Sequence, residues 1–436
     1  MERDRSSLEQ ERARLQKIDK NPSLIGRWRG YFSLTGPGWL QSALTLGAGT
    51  AGSILFAGSM YGYKLLWVQV VGMFFGLVVL SAIGHQVIHT QARPYDVFWK
   101  LLHPSIALFW GISVLLASII WQFPQYSLGT VMAKDMFQVV EVNIPSPVMA
   151  LCLLCIATLI CWSYGKGYRK YVIWFERILK YMVWAMIIAL ISVVIKTGVN
   201  WTEFLKGFTG FYLPHDLQGI TIVLGILGAC IGVNMTFLYP YSVLTRGWDK
   251  TYQGLKNFDL TVSMFLPAVI VPSLLIMATA NTLHVQGIQI KNAVDVAHTL
   301  EPLIGLTPAR VVFSIGIISM CISTMILEML ICGFVLSEML GFKLHGWSFR
   351  IATMVANIGI LGAFYSMPFW LPVIASSFNV IMMPIAFICF FILQNRTDFL
   401  GDAVNKGLRG YIWNVGILLA VLVMAIGAWV KLYSMF

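Results

Sequence analysis

The chain has 436 residues, of which 58% are hydrophobic and only 11% charged, and Lys and Arg outnumber Asp and Glu 30 to 19. So little polar surface excludes a soluble globule, and the positive charge accompanies no soluble basic fold that could hold nucleic acid. The seven cysteines all lie in apolar runs; Cys152 and Cys155 have no second pair or nearby histidine, so they read as small buried thiols rather than a metal knuckle.

In chain order, Met1 to Thr35 is charged, lacks an apolar core of its own, and is expected to form a cytosolic arm with a short helix over Leu8 to Ile18. The first span, Gly36 to Gly62, is long enough to cross a bilayer but is interrupted by Gly47, Gly49 and Gly52. Apolar runs follow at Leu65 to Ile83, Pro104 to Ala133, Ile144 to Tyr164 and Tyr181 to Ile195. A sixth, Leu217 to Thr245, is interrupted by Gly225, Gly228, Gly232 and Pro240. Five more complete the series: Leu260 to Leu283, Val311 to Leu336, Ile351 to Met367, Phe369 to Leu393 and Tyr411 to Val430. The longest excursion between spans, His284 to Pro308, is too short to be a domain. One membrane domain is therefore expected over residues 36–436, with helices 1–5 at about 36–196, helices 6–10 at about 217–394 and helix 11 at about 411–430.

Basic residues orient the chain. With the N-terminus cytoplasmic, 23 of the 30 Lys and Arg fall on the inner side and 7 on the outer. Eleven spans then put the C-terminus outside, in a multi-pass protein of the cell membrane. The bilayer is the expected surrounding partner, and no nucleic acid is expected.

Interrupted spans in corresponding positions of two halves are the sequence signature of a carrier's binding site. The expected fold is all-α, with eleven transmembrane helices in a 5+5 inverted repeat of the LeuT type plus one extra helix, and with helices 1 and 6 unwound at their centres. GAGTAG at 47–52 fits a dinucleotide fingerprint only by spelling, since it follows no strand and no carboxylate lies about 20 residues on. Gly58-x-x-x-Gly62 reads as a helix-packing pair. No histidine cluster, nucleophile with base or phosphate loop indicates an enzyme, and no cofactor is expected.

GPGWLQSALTLGAGTAGSILFAGSMYGYKLLW resembles the first helix of the NRAMP (natural-resistance-associated macrophage protein) metal transporters, in which GP opens the helix and YGY-x-LLW follows it. The resemblance continues through GILGA in helix 6, DVAHTLEPLIG before helix 8, Ser323-Thr324 in helix 8 and MPIAFICFFIL in helix 10, and covers most of residues 34–430. It implies a metal ion held by Asp and Asn of a D-P-G-N motif in helix 1 and by Met of an M-P-H motif in helix 6. Here the first motif aligns with Gly47, Ala48, Gly49 and Thr50, the second with Gly232, Val233 and Asn234, and a further helix 6 histidine with Tyr239. Every metal-ligating side chain of the pattern is replaced, and Met235 reaches the missing methionine's place only by a three-residue slip of register.

A dehydrated divalent cation needs anionic or strongly basic ligands, whereas amides freed at the start of a half-helix favour negative charge. The expected substrate is accordingly a small anion or polar solute, such as bicarbonate or an amino-acid carboxylate, moved by alternating access. It would be held by Gly47, Ala48, Gly49, Thr50, Gly232, Val233, Asn234, Tyr239 and Ser376, with no metal ligands assigned. Ser323, Thr324 and Glu328 are the candidates for a coupling ion, Na+ or H+; the serine and threonine resemble a hydroxyl pair that meets helix 1 carbonyls in sodium-coupled relatives of the fold. Two other readings stand: a divalent-cation carrier of the Mn/Fe/Mg class using Asn234, Thr50, carbonyls and retained water, and a non-transporting scaffold or sensor. Oligomeric state is not legible in the sequence.

Overall fold

In the computed structural model, residues 2–138, 141–166, 168–287, 290, 306–364 and 371–433 are described. Most of 284–308 and the junction between Met367 and Phe369 lie outside them. Regular structure among the described residues is helical throughout. Two helices precede the membrane part, α1 (Glu2–Asp19) and α2 (Leu24–Leu34). The first span is split into α3 (Pro37–Thr45) and α4 (Ala48–Tyr61), which meet at a bend of 51°. Then come α5 (Leu66–Thr90), α6 (Pro104–Gln138), α7 (Ser146–Tyr164), α8 (Arg169–Thr197) and the short α9 (Trp201–Thr209).

The second half opens with another split span, α10 (Leu217–Cys230) and α11 (Val233–Arg246). It continues through α12 (Lys250–His284), α13 (Leu306–Leu340), α14 (Trp347–Ala363, ending in a 3-10 coil) and α15 (Leu371–Gln394), and α16 (Gly407–Tyr433) follows. Eight of the described helices are long and apolar enough to cross a membrane, or up to ten if each bent pair is one span. The expected eleven further requires the shorter α14 to cross. The second part of α14, Met354–Ala363, is wound as a 3-10 coil, whose poorer hydrogen bonds rarely let it run long.

The core sits between the halves. The split spans and α13 are the most enclosed elements, while α7 and α16 turn large side chains such as Leu159 and Trp429 outward, as a lipid-facing helix must. α13 lies along α6 and α8, α10 packs on α4 and α15, and α16 covers α15 and α5. Asp216 caps α10 through the Gly219 amide at 2.8 Å and accepts the Tyr61 hydroxyl at 2.9 Å, tying the ends of the two split spans together. The Gly219 amide and the Tyr61 hydroxyl hold its carboxyl below the usual range.

The opposite end is closed by a buried ionic cluster. Arg246, at the end of α11, pairs with Glu176 of α8 and, at 3.1 Å, with Glu11 of α1. Glu11 also takes Arg169 at 2.7 Å. Asp259 of α12 accepts the amides of Gly36 at 3.1 Å and Gly38 at 2.6 Å, capping the start of α3. A Cβ on Gly38 would stand 2.5 Å from the Asp259 carbonyl, so only glycine allows this approach and the GPG opening acquires a physical reason. All seven cysteines are free thiols; Cys152 and Cys155 are exposed on α7 and the other five are buried.

Glu176→Gln keeps the shape but leaves Arg246 opposite Glu11 alone, and breaking a buried pair in this way costs about 3 kcal/mol. A lowered melting temperature in detergent is the expected outcome. An unchanged one would show that Glu11 by itself satisfies Arg246.

Candidate functional site

A helix that unwinds inside a membrane frees amides and carbonyls that water cannot satisfy. The first break falls at Leu46 and Gly47, and the second at Ile231 and Gly232, both of the latter in extended conformation. Gly49 and Gly52 therefore lie within α4, and Gly225 and Gly228 within α10, one or more residues from the points where the helices open. Gly47 and Gly232 have φ near −98° and −94°, which any residue adopts. They are needed for space: a Cβ on Gly47 would meet Thr324 Oγ1 at 2.7 Å, and one on Gly232 would meet Asn234 Oδ1 at 2.0 Å.

Named side chains close most of the freed backbone. Ala48 donates its amide to Gln125 Oε1 of α6 at 2.9 Å. The Thr50 hydroxyl donates back across the break to the Thr45 carbonyl. At the other break Asn234 Oδ1 accepts the Met235 amide at 3.0 Å, while its Nδ2 donates to Glu328 Oε1 at 2.7 Å. Thr45 Oγ1 reaches the Cys230 carbonyl at 3.5 Å and Met235 Sδ at 3.6 Å, so the two breaks face each other. Thr324 Oγ1 donates to the Ala43 carbonyl at 3.1 Å, and Ser323 Oγ shares the Met320 and Ala43 carbonyls at 3.0 and 3.4 Å.

Glu328 is 1% exposed and no ion pair neutralises it among the described residues. Its Oε2 is buried without a hydrogen bond of ordinary geometry, with Ser118 beside the carboxyl group. On α3 and α6, both polar atoms of Gln41, Oε1 of Gln122 and Nε2 of Gln125 are also buried and unpartnered among the described residues. Buried polar groups are rarely left so, and a collection of them on α3, α6 and α13 fits a place for a polar ligand or water.

Of the residues expected from sequence, Gly47, Ala48, Gly49, Thr50, Gly232, Val233 and Asn234 lie at or within one turn of the two breaks, and Ser323, Thr324 and Glu328 join them from α13. Tyr239 does not join them: it packs against α5, where a Cβ on Gly84 would meet its ring at 2.8 Å, and it makes no hydrogen bond to the Asn234 group. Ser376 lies in α15, and its side chain is outside those described. Two residues, Thr45 and Asn379, emerge only here, and Met235, set aside on its register, returns. Met235 brings a thioether to the junction, Thr45 links the breaks, and Asn379 of α15 places Nδ2 3.2 Å from where a Cβ on Gly232 would be. Asn379 was legible as a lone amide in an apolar run, by the rule that singles out Glu328. Among the described residues no three His, Cys, Asp or Glu side chains cluster as a metal site.

The natural resistance-associated macrophage protein-like family model matches residues 38–431. A divalent metal cation transporter (MntH) of Nostoc sp. is 22% identical over 435 residues, covering 95% of this chain and 94% of its own. One of Brucella suis is 23% identical, covering 76% and 72%. Among solved structures, a manganese transporter of Eremococcus coleocola superposes with a TM-score of 0.75 at 13% identity, covering 94% of this chain and 88% of its own. MhsT in complex with L-phenylalanine superposes at 0.62 and 13%, covering 90% and 98%.

These relatives overturn the expectation of a small anion or polar solute. The geometry agrees in part: two of the amides that would have held an anion are taken, Ala48 by Gln125 and Met235 by Asn234, and the Glu328 carboxyl group stands in the same cluster.

Gln125→Leu removes the acceptor of a buried amide at little change in volume. Leaving Ala48 N–H unsatisfied is expected to cost about 1–3 kcal/mol, read as a lowered melting temperature in detergent. Wild-type melting would mean that the amide finds another acceptor.

Proposed function

The chain belongs to the natural resistance-associated macrophage protein-like family of membrane transporters, and on that premise we propose that it carries a divalent metal cation through a site unlike the family's motif. The carrying observation is Glu328, a buried carboxyl group at the junction of the two breaks with one oxygen on Asn234 and the other beside Ser118 without a hydrogen bond of ordinary geometry. A cation arriving there would meet one anionic oxygen, the Asn234 carbonyl once it releases the Met235 amide, the Met235 thioether and carbonyls freed at the breaks. Such a shell is mainly oxygen and carries a single charge. It suits a hard or borderline ion of the Mg/Mn/Fe class that keeps some of its water, since waters complete the coordination where protein ligands are few.

Alternating access would follow from the fold, with the halves rocking about the two breaks. A coupling ion, H+ or Na+, would act through Glu328 or the Ser323 and Thr324 hydroxyls; both hydroxyls now hold α13 to the Ala43 carbonyl. The basic-residue asymmetry supports a cytoplasmic N-terminus and an external C-terminus in the cell membrane. Residues 1–35 would then form a cytosolic arm.

Uptake of Mn2+ and Mg2+ by purified protein in liposomes tests the reading. Wild type should accumulate at least one of them, and Glu328→Gln should lower uptake about 10- to 100-fold, as losing a charge-assisted contact of about 1.5–3 kcal/mol predicts. Gly232→Ala should act in the same direction, because its methyl displaces Asn234 from Glu328 while the extended backbone tolerates it. No uptake of either metal by a folded wild type, or full uptake by Glu328→Gln, would refute the proposal. Orientation is tested separately by a reporter that fluoresces only in the cytosol, fused after Phe436; dark cells are expected, and bright ones would reverse the topology.

A further inference from the structure

α2, with the sequence LIGRWRGYFSL, turns Leu24, Ile25 and Trp28 outward, each more than 60% exposed. Three large apolar side chains on one exposed turn and a half are costly in water and at home in the headgroup boundary of a bilayer. Behind that face, between α2 and α12, lies a groove of about 750 Å³. Its walls are Ile25, Trp28 and Phe32 on one side and Phe258, Val262 and Leu266 on the other. Trp28 and Tyr31 of α2 stand 6.5 and 5.4 Å from Phe258 between ring centroids, so the two elements are joined at that ring.

The groove is apolar except for a few groups, of which Arg29 is the one charge. Arg29 is exposed and forms no ion pair among the described residues. The exposed Asn257, a turn into α12, contributes an amide to the same lining. Asp19 is the acid close to this helix, and it is engaged by the Tyr31 hydroxyl at 2.6 Å. An apolar slot at the end of a membrane span, carrying one unneutralised guanidinium and a neighbouring amide, is complementary to a molecule with a long hydrocarbon chain and an anionic head. Guanidinium pairs with phosphate in two-pronged geometry, and basic residues flanking a span attract anionic lipid.

We propose that this groove binds an anionic phospholipid, with one acyl chain between α2 and α12 and the phosphate on Arg29. The site is remote from the Asn234–Glu328 junction and does not depend on what the protein carries.

Trp28 lines the groove and serves as its own probe. In nanodiscs with increasing brominated lipid, the fluorescence of wild type minus that of Trp28→Phe isolates its quenching. Brominated phosphatidylglycerol should quench this signal at about a fivefold lower mole fraction than brominated phosphatidylcholine, the preference that one basic residue near the surface is worth. Arg29→Gln, at an exposed position, should equalise the two lipids, and Val262→Trp should abolish the preference by filling the slot with Arg29 in place. Equal quenching by both lipids in wild type would reduce the contact to ordinary bilayer and overturn the proposal. So would a preference that survives Arg29→Gln, or absence of quenching by either lipid.

Discussion

Every backbone amide and carbonyl that this chain opens inside the membrane must find a partner within the protein, because lipid offers none and each orphan costs several kcal/mol. Two spans are opened, at Leu46–Gly47 and Ile231–Gly232, and the side chains around them are arranged by that need. Gln125 serves Ala48, Thr50 serves Thr45, Asn234 serves Met235, and α13 brings Ser323 and Thr324 to Ala43. What remains unserved, chiefly Glu328 Oε2 and the amides of Gln41, Gln122 and Gln125, marks the place where a ligand or water has something to bind.

Buried charge is confined to places where it is compensated or useful. At one end of the bundle Glu11, Arg169, Arg246 and Glu176 neutralise one another and Asp259 caps α3, so the arm helix α1 is joined to the end of α11. Glu328 is different, since the Asn234 amide and Ser118 are its neighbours and no cation stands opposite among the described residues. A buried carboxylate without a counter-charge is an arrangement that a bound cation would relieve.

A tally of missing ligands misled the reading of function. Comparing Gly47, Thr50 and Gly232 with the family's Asp, Asn and Met correctly registers that the usual ligands are gone, but it treats the site as those positions alone. Met235 was set aside because it is three residues out of register; yet in the first turn of α11 its sulfur reaches Thr45 across the junction. Glu328 sits 94 residues from Asn234 in the chain, and nothing local to either residue announces the 2.7 Å contact between them. The amides expected to be free for an anion were likewise invisible as occupied, since Gln125 lies 77 residues beyond the amide it accepts.

The chain's residues alone determine that it is helical and lives in lipid, that two spans are broken, and roughly where each begins and ends. Hydropathy and glycine spacing are local properties, and a bilayer turns them directly into structure. Which glycine forms each break was less local: the helices open at Gly47 and Gly232, where neighbouring side chains occupy the space of a Cβ, and run through Gly49, Gly52, Gly225 and Gly228. What surrounds the two breaks was decided only by tertiary structure. It depends on which side chains from α6, α11 and α13 converge on the breaks and which atoms they leave unpaired, and convergence across long sequence separations has no signature in any one segment.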